Sequence, residues 1–243
     1  MAVYRIDLAY DGTGFRGWAR NAGVRTVQGA MEDALAAVLG EKVSLSVAGR
    51  TDAGVHARRQ VASFESPEGL DGDGLGRSLR RMLGPEISVR SVTPAPEGFD
   101  ARFSATARSY RYFVEEAPRH DPLRARWVWH LGETLDLTSM NQAGQALVGE
   151  HDFASLCRSS AGRSTVRRVL EANWQRDELL TFGVTATAFC QQMVRSMVAL
   201  LVDVGRGKVP ASAVPAIVDA RDRSAARGVA PPHGLILWEV SYG

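Results

Sequence analysis

Val3–Tyr10 reads VYRIDLAY, with large apolar side chains at every second position and two charged side chains, Arg5 and Asp7, between them. Successive side chains of a β-strand point to opposite faces of the sheet, so a period of two predicts a strand with one buried face. The side chains expected on the buried face are Tyr4, Ile6, Leu8 and Tyr10.

A helix is predicted downstream of this strand. Thr26 is of a type that caps helix N-termini, apolar residues then recur with helical spacing to Leu39, and Gly40 is a typical stop. The rest of the first half is predicted as strands over 43–48, 60–64 and 87–92, with a short helix over 75–83. The resulting order, β-α-β-β-α-β, is typical of ferredoxin-like and RNA-binding sheets.

The second half mixes strands and helices in the same way. Strands are predicted over 109–115, 127–130, 167–175, 179–186 and 235–242, and helices over 139–148, 189–204 and 211–219. Pro94, Pro96 and Gly98 mark a linker, so we expect two domains, 1–98 and 99–243. We therefore predict an α+β fold in which helices cover one face of each sheet.

The composition is that of an ordinary globular protein, with 45% hydrophobic and 23% charged residues among 243. The segment Met1–Tyr10 has no apolar run of the kind found in signal peptides. No stretch approaches the roughly 20 apolar residues that span a bilayer. We expect a cytoplasmic protein without membrane contact.

Cysteines and histidines give no metal or redox signature. Cys157 and Cys190 form no C-x-x-C pair, so we expect two reduced thiols. His56, His130 and His151 do not fall at metal-ligand spacing, and each is expected to be structural. No metal site is predicted.

The formal net charge is only +2, so the net charge alone does not indicate a nucleic-acid partner. The distribution is more informative, since 153–170 holds four arginines and no acid, and 102–126 holds six arginines against three acids. Arginine suits phosphate and stacks on bases, and a nearly neutral protein with such stretches can present a basic groove. A codon bias toward arginine explains most of the excess over lysine.

One loop offers an isolated carboxylate. The run Gly49-Arg50-Thr51-Asp52-Ala53-Gly54 lies between two predicted strands, where glycines allow close approach of a ligand. Composition alone favours a turn capped by the aspartate. The basic continuation His56-Ala57-Arg58-Arg59 favours an anionic partner instead.

Two further features are candidates for a site. Arg195 interrupts an otherwise apolar helix, and a buried guanidinium needs an acceptor such as the Asp52 carboxylate. Exposure to solvent, or pairing with Asp203, is an equally good interpretation. Arg108-Ser109-Tyr110-Arg111-Tyr112 is a basic, aromatic strand that suits either base stacking or a sheet core.

Together these segments resemble the TruA family of tRNA pseudouridine synthases over nearly the whole chain. The loop around Asp52 matches the catalytic motif of that family. The other matching segments are 10–15 with Gly17-Trp18, 26–29, 103–112, 149–153, 193–195 with 204–207, and 230–235. The chain departs from the usual pattern at Ala19-Arg20-Asn21 and at Cys190-Gln191-Gln192.

The resemblance implies an isomerase that converts uridine to pseudouridine at positions 38, 39 and 40 of the tRNA anticodon stem-loop. It implies two ferredoxin-like domains flanking a central cleft, a homodimer, and no metal or organic cofactor. Asp52 would be the catalytic nucleophile, and Arg50 would help to extrude the target base. Tyr110 would pack on the uracil, Arg195 would pair with Asp52, and Leu235 would line the pocket.

Two other classes of function fit part of the sequence. A non-catalytic RNA-binding module would explain the aromatic, basic strand but not the Asp52 loop. A carboxylate-dependent hydrolase would need a second carboxylate nearby, and Glu65 stands at the far end of the next predicted strand.

Overall fold

The computed structural model describes residues 1–158, 162–226 and 228–243. These residues form two compact units, one made of Met1–Thr106 with Leu237–Gly243 and the other of Ala107–Ile236. Both combine helices with mainly antiparallel strands, so the predicted α+β class is confirmed. Within the described ranges, no helix has the length and apolarity that crossing a membrane requires.

The first unit is built on the strand that opens the chain. Strand β1 (Ala2–Tyr10) lies between β3 (His56–Ser66) and β4 (Ile87–Pro94) and is antiparallel to both. The short β2 (Ser46–Val47) pairs with β3. The four apolar side chains expected on the inner face of β1 are at most 4% exposed, so the buried face predicted from the alternation is confirmed.

The helices of this unit are α1 (Val27–Leu39) and α2 (Gly72–Leu83). The Thr26 side chain accepts a hydrogen bond from the Gly29 amide, and Gly40 ends α1 with a φ of 76°. Glycine adopts this left-handed conformation without steric cost. Both predicted ends of the helix are therefore confirmed.

Several predicted bounds for this unit are wrong: β3 and β4 are longer than the predicted 60–64 and 87–92, and two other differences have a clear physical cause. The strand expected over 43–48 is reduced to β2, because the Leu45 amide donates to the Glu32 carboxylate on α1 rather than to a neighbouring strand (3.2 Å). Helix α2 begins before residue 75, because Asp71 accepts a hydrogen bond from the Gly74 amide and caps the helix there (2.9 Å).

The second unit contains a sheet in the order β5-β9-β8-β7, with neighbouring strands antiparallel. A two-residue strand, β6, runs parallel to β5. The bounds of the strands are β5 (Ala105–Glu115), β6 (Trp129–His130), β7 (Gly149–Asp152), β8 (Val166–Arg176) and β9 (Leu180–Ala186). Strand β7 was not predicted, since four residues are too few to show a period.

Helices α3 (Leu137–Gln145), α4 (Met193–Gly205) and α5 (Val214–Asp219) belong to this unit. Helix α4 was predicted to begin at 189 but begins at Met193. Gln192 has a φ of 64°, which an α-helix does not accommodate, so 189–192 lies outside the helix.

The last strand, β10 (Leu235–Tyr242), has the predicted bounds. From Leu237 it returns to the first unit, where it neighbours β3. The Tyr242 hydroxyl donates to the Ala101 carbonyl (2.7 Å), and the Ala101 amide donates to Ser63 on β3 (3.0 Å). The compact units thus differ from the predicted domains 1–98 and 99–243, a division that stays a prediction.

Candidate active site

The loop between β2 and β3 displays Asp52 on a tight turn. The Val55 amide donates to the Asp52 carbonyl (3.2 Å), and Gly54 takes the left-handed conformation that the turn requires. Asp52 is half-buried and the neighbouring Arg50 is exposed. The loop therefore presents one carboxylate and one guanidinium from a constrained backbone.

Buried hydrogen bonds hold the chain on both sides of Arg50. The Gln60 side chain, with no exposed surface, donates from Nε2 to the Gly49 carbonyl (2.7 Å) and to the Tyr10 hydroxyl (3.2 Å). The Tyr10 hydroxyl lies 2.8 Å from Oγ1 of Thr51. We call Tyr10, Thr51 and Gln60 the loop clamp.

The donor and acceptor roles in the loop clamp follow from its chemistry. The Gln60 amide nitrogen can only donate, so the Tyr10 oxygen accepts from it and directs its own hydrogen to Thr51. Burial raises the pKa of Tyr10 to about 12, although its hydrogen bonds with Thr51 and Gln60 oppose that shift. The phenol therefore stays protonated at neutral pH and keeps the clamp intact.

The segment after β1 supports the loop from a second side. The Trp18 amide donates to the Thr51 carbonyl (3.0 Å), and the Gly54 amide donates to the Phe15 carbonyl (3.3 Å). A Cβ atom added to Gly12 would collide with the Val55 carbonyl, and one added to Gly17 would lie 2.9 Å from the Thr51 carbonyl. These glycines are needed because two backbone segments lie in direct contact.

His56, at the end of the loop, is buried. Its Nδ1 atom accepts a hydrogen bond from the Gly12 amide (3.1 Å). The contact links the loop to the Asp11-Gly12 turn. Within the described residues, no group of three potential ligands could hold a metal ion.

In the second unit, Tyr110 lies on β5 opposite Val184 and is 7% exposed. The Phe189 ring meets it edge-on, with ring centroids 5.1 Å apart. Edge-to-face pairs of this kind are favourable and fix ring orientation. Sequence patterns did not indicate Phe189, because this contact joins residues that are distant in the chain.

Arg195 is half-buried on α4 and is tied to the segment 230–235. Its Nε donates to the Ala230 carbonyl (2.7 Å), and the Ala230 amide donates to the Arg195 carbonyl (3.0 Å). Asp203, the alternative partner considered for Arg195, forms ion pairs with Arg206 (3.8 Å) and Lys208 (3.9 Å). The pairing of Arg195 with Asp52 stays a prediction.

The same segment packs on Tyr112, the neighbour of Tyr110 on that face of β5. The Tyr112 hydroxyl donates to the Pro231 carbonyl (2.8 Å), and a Cβ on Gly234 would lie 2.6 Å from the Tyr112 ring. Burial raises the pKa of Tyr112, while the charge of Arg195 acts against the shift. Leu235 follows and is 5% exposed.

Each unit therefore collects part of the predicted set of site residues. Asp52 and Arg50 share one loop of the first unit, whereas Tyr110, Arg195 and Leu235 lie in the second. In the second unit, β5, α4 and the segment 230–235 are connected through Tyr112 and Arg195. We use the name aromatic wall for Tyr110 and Tyr112 on β5 together with the residues packed on them, Phe189 and the segment 230–235.

Comparison with known proteins places the chain in a family. A family model described as tRNA pseudouridine synthase matches residues 143–243. A protein named tRNA pseudouridine synthase A from Streptomyces griseus is 44% identical, over 98% of this chain and 87% of that protein. Proteins of the same name from Frankia casuarinae and Geobacter sulfurreducens are 45% and 40% identical. These two alignments cover 98% and 100% of this chain, and 88% and 100% of the relatives. The expected resemblance is confirmed: the chain belongs to the tRNA pseudouridine synthase A family.

Proposed function

We propose that the protein isomerises uridine to pseudouridine at positions 38, 39 and 40 of the tRNA anticodon stem-loop, with Asp52 as the catalytic carboxylate. The observation that carries the proposal is the half-buried Asp52 on a loop fixed by the buried loop clamp. A catalytic group has to be held in its reactive geometry, and a clamped loop does so at little further entropic cost.

The reaction breaks the glycosidic bond between C1′ and N1, turns the detached uracil, and joins C1′ to C5. Asp52 acts on the target uridine as the nucleophile. The uridine first leaves the base stack, which costs a few kcal/mol that RNA binding must offset. Arg50 aids this step, because an exposed guanidinium beside Asp52 can occupy the space that the base vacates.

The aromatic wall receives the base in this proposal. Tyr110 packs on the uracil with its ring orientation set by Phe189, and Leu235 lines the pocket. Arg195 is the cationic partner of the Asp52 carboxylate. Its Nε bond to Ala230 fixes one edge of the guanidinium and so orients the rest.

The proposal extends to the assembly and to the substrate. The active form is a homodimer in the cytoplasm, where tRNA is modified, and it uses neither a metal nor an organic cofactor. Support comes from the family to which the chain belongs and from the arginine-rich stretches, which suit the phosphates of RNA.

Replacing Asp52 tests the proposal. Asp52→Asn should abolish tritium release from tRNA labelled at uracil C5, while filter binding of the same tRNA persists. Asp73→Asn, an exposed aspartate on α2, is the matched control and should keep full turnover. Substantial release by Asp52→Asn would refute the assignment of the carboxylate.

The position is tested separately by mapping pseudouridine in tRNA incubated with the purified protein. Product at 38, 39 or 40 supports the proposed substrate region. Product confined to another arm of the tRNA would leave the isomerase reaction standing and overturn the position.

A further inference from the structure

The two cysteines of the chain lie together in the second unit, although the sequence separates them widely. Cys157 is buried and Cys190 half-buried, and both are free thiols. The Arg158 amide donates to the Gln191 carbonyl (2.9 Å), so the residues directly after the two cysteines are hydrogen-bonded. The two thiols are also hydrogen-bonded to each other, which is the proximity that formation of a disulfide requires.

The surroundings make the two thiols chemically unequal. The hydrogen bond from the Cys157 thiol is the main cause that lowers the pKa of Cys190, to about 7. Arg167 lowers it further, while burial and Asp152 oppose the shift. The same hydrogen bond, followed by burial, raises the pKa of Cys157. Cys190, whose pKa is lowered, is therefore the sulfur of the pair that ionises more readily.

Arg167 on β8 gives independent support for an anion at this place. Its Nε atom is buried and has no hydrogen-bond partner within the described part of the chain. A guanidinium whose buried N–H lacks a partner favours a neighbouring anion, and a Cys190 thiolate is such an anion. The thiolate also accounts for reactivity, since thiolates rather than thiols attack oxidants.

We propose that Cys190 and Cys157 are a peroxide-reactive pair that closes into a reversible disulfide. The Cys190 thiolate attacks one peroxide oxygen, breaks the O–O bond and releases hydroxide, which leaves a sulfenic acid on Cys190. The Cys157 sulfur then attacks the sulfenic sulfur, and its proton leaves with the hydroxyl group as water. The released hydroxide takes up the proton that Cys190 lost on ionising and forms the first water. In sum, one peroxide is reduced to two waters and two thiols are oxidised to a disulfide.

The disulfide would act on the aromatic wall through the segment 189–192. Cys190 follows Phe189, the residue that contacts the Tyr110 ring. The Cys190 carbonyl accepts a hydrogen bond from the amide of Met193, the first residue of α4 (3.2 Å). A disulfide between Cys190 and Cys157 would fix this segment to the chain that follows β7. Oxidation should therefore lower turnover. This consequence rests on the proposed function.

The chemistry is tested on the reduced full-length protein with hydrogen peroxide. Mass spectrometry without reductant should show the loss of two hydrogens and one peptide pair joining Cys157 to Cys190, both reversed by dithiothreitol. In Cys157→Ser, dimedone should trap a sulfenic acid at Cys190, and in Cys190→Ser no oxidation should occur at Cys157. Cys190 that stays alkylatable, or that oxidises without cross-linking in the unmodified chain, would overturn the proposal.

Alkylation kinetics test the roles of the two sulfurs. The charged and titratable groups around Cys190 are Cys157, Arg167 and Asp152. The alkylation rate of Cys190 should rise through about pH 7, and in Cys157→Ala the midpoint should move upward because the hydrogen-bond donor is gone. An unchanged midpoint in this variant would contradict the assigned hydrogen bond.

Turnover is a separate measurement. Peroxide should reduce tritium release by the unmodified protein, dithiothreitol should restore it, and the double variant Cys157→Ser/Cys190→Ser should not respond. Cross-linking with unchanged turnover would overturn the link to the aromatic wall. The cross-link itself is detected by mass, so the thiol chemistry and the proposed function can fail independently.

Discussion

The Asp52 loop and the aromatic wall are built by different kinds of interaction. The loop is held by directional hydrogen bonds between buried polar groups, with Gln60 at their centre. The wall is held mainly by close packing, in which Phe189 meets Tyr110 and Gly234 lies directly against Tyr112. The position of the proposed catalytic group should therefore respond to lost donors and acceptors, and the wall to changes in volume.

Gly12→Ala should disrupt the support of the Asp52 loop, and we expect the largest loss of stability from this change. The added methyl group would collide with the Val55 carbonyl, and backbone at this depth cannot move without disturbing β3. We expect a loss of about 3 kcal/mol or more in unfolding free energy, at or above the usual range for overpacking. Urea denaturation gives the value.

Gly76→Ala is the matched control for this change. Its nearest neighbour would be the end of the flexible Arg80 side chain at 3.3 Å, and the position is helical. Alanine is favoured over glycine in a helix, so stability should be unchanged or slightly higher. Equal destabilisation by both variants would show that the Gly12 contact is not special.

Gly234→Ala should disrupt the close packing of the aromatic wall. The new Cβ would lie 2.6 Å from Tyr112, a ring that is fully buried and cannot turn aside. We expect a loss of about 1–3 kcal/mol in unfolding free energy. Turnover measured well below the melting temperature should also fall, because the residue directly precedes Leu235. A variant as stable and active as the parent would contradict the close packing assigned here.

Tyr10→Phe isolates the contribution of hydrogen bonds to the Asp52 loop, since it removes a hydroxyl without changing the shape of the ring. Two hydrogen bonds of the loop clamp are lost, which should cost about 1–3 kcal/mol because Gln60 and Thr51 keep buried polar atoms without this partner. We expect kcat for tRNA to fall with little change in KM.

A double-mutant cycle provides the control for Tyr10. Tyr10→Phe combined with Thr51→Val should cost less than the sum of the two single changes, because both remove the same 2.8 Å contact. Strict additivity would show that the contact contributes nothing to the free energy of unfolding.

Asp100→Asn should have the smallest effect, and it depends on pH. Burial alone would raise the pKa of Asp100, but hydrogen bonds from the Phe103 amide, Ser46 and the Arg102 amide outweigh it and lower the pKa. A carboxylate with a lowered folded-state pKa stabilises the fold above its unfolded pKa, near 4, and loses that effect as the pH falls through the folded value.

We therefore expect Asp100→Asn to lower the unfolding free energy by less than about 1 kcal/mol at pH 7, since the group is half-exposed and solvent screens its interactions. The difference from the parent should shrink toward pH 3. Denaturation curves at several pH values measure it. A difference that grows on acidification would contradict the direction of the pKa shift.

Local sequence signals predicted much of the fold. The β1 alternation, the Thr26 cap and the Gly40 stop each act within a few residues, and each is confirmed. Predictions failed where a distant side chain intervened, as when Glu32 took the Leu45 amide and shortened β2. Gln192 is a failure of another kind, because its positive φ leaves no mark on residue type and shifted the start of α4.

The candidate site shows the same limit. The Asp52 loop could be singled out from its glycines and its single carboxylate, but composition could not decide between a turn and an active site. The loop clamp could not be predicted, since Tyr10 and Gln60 are ordinary strand residues until β1 pairs with β3. The same is true of Phe189, whose role depends on the Tyr110 ring.

The sequence by itself determined the α+β class, the family and the residues that are candidates for chemistry, because period, capping and motif spacing are local properties of the chain. The tertiary structure decided which groups hold those candidates in place. Pairing of β1 with β3 buried Gln60 where it bonds the Asp52 loop, and the fold of the second unit placed Gly234 against the Tyr112 ring. It also brought two cysteines that the sequence presents as unrelated into one thiol pair. Such contacts join distant segments, and no local pattern records them.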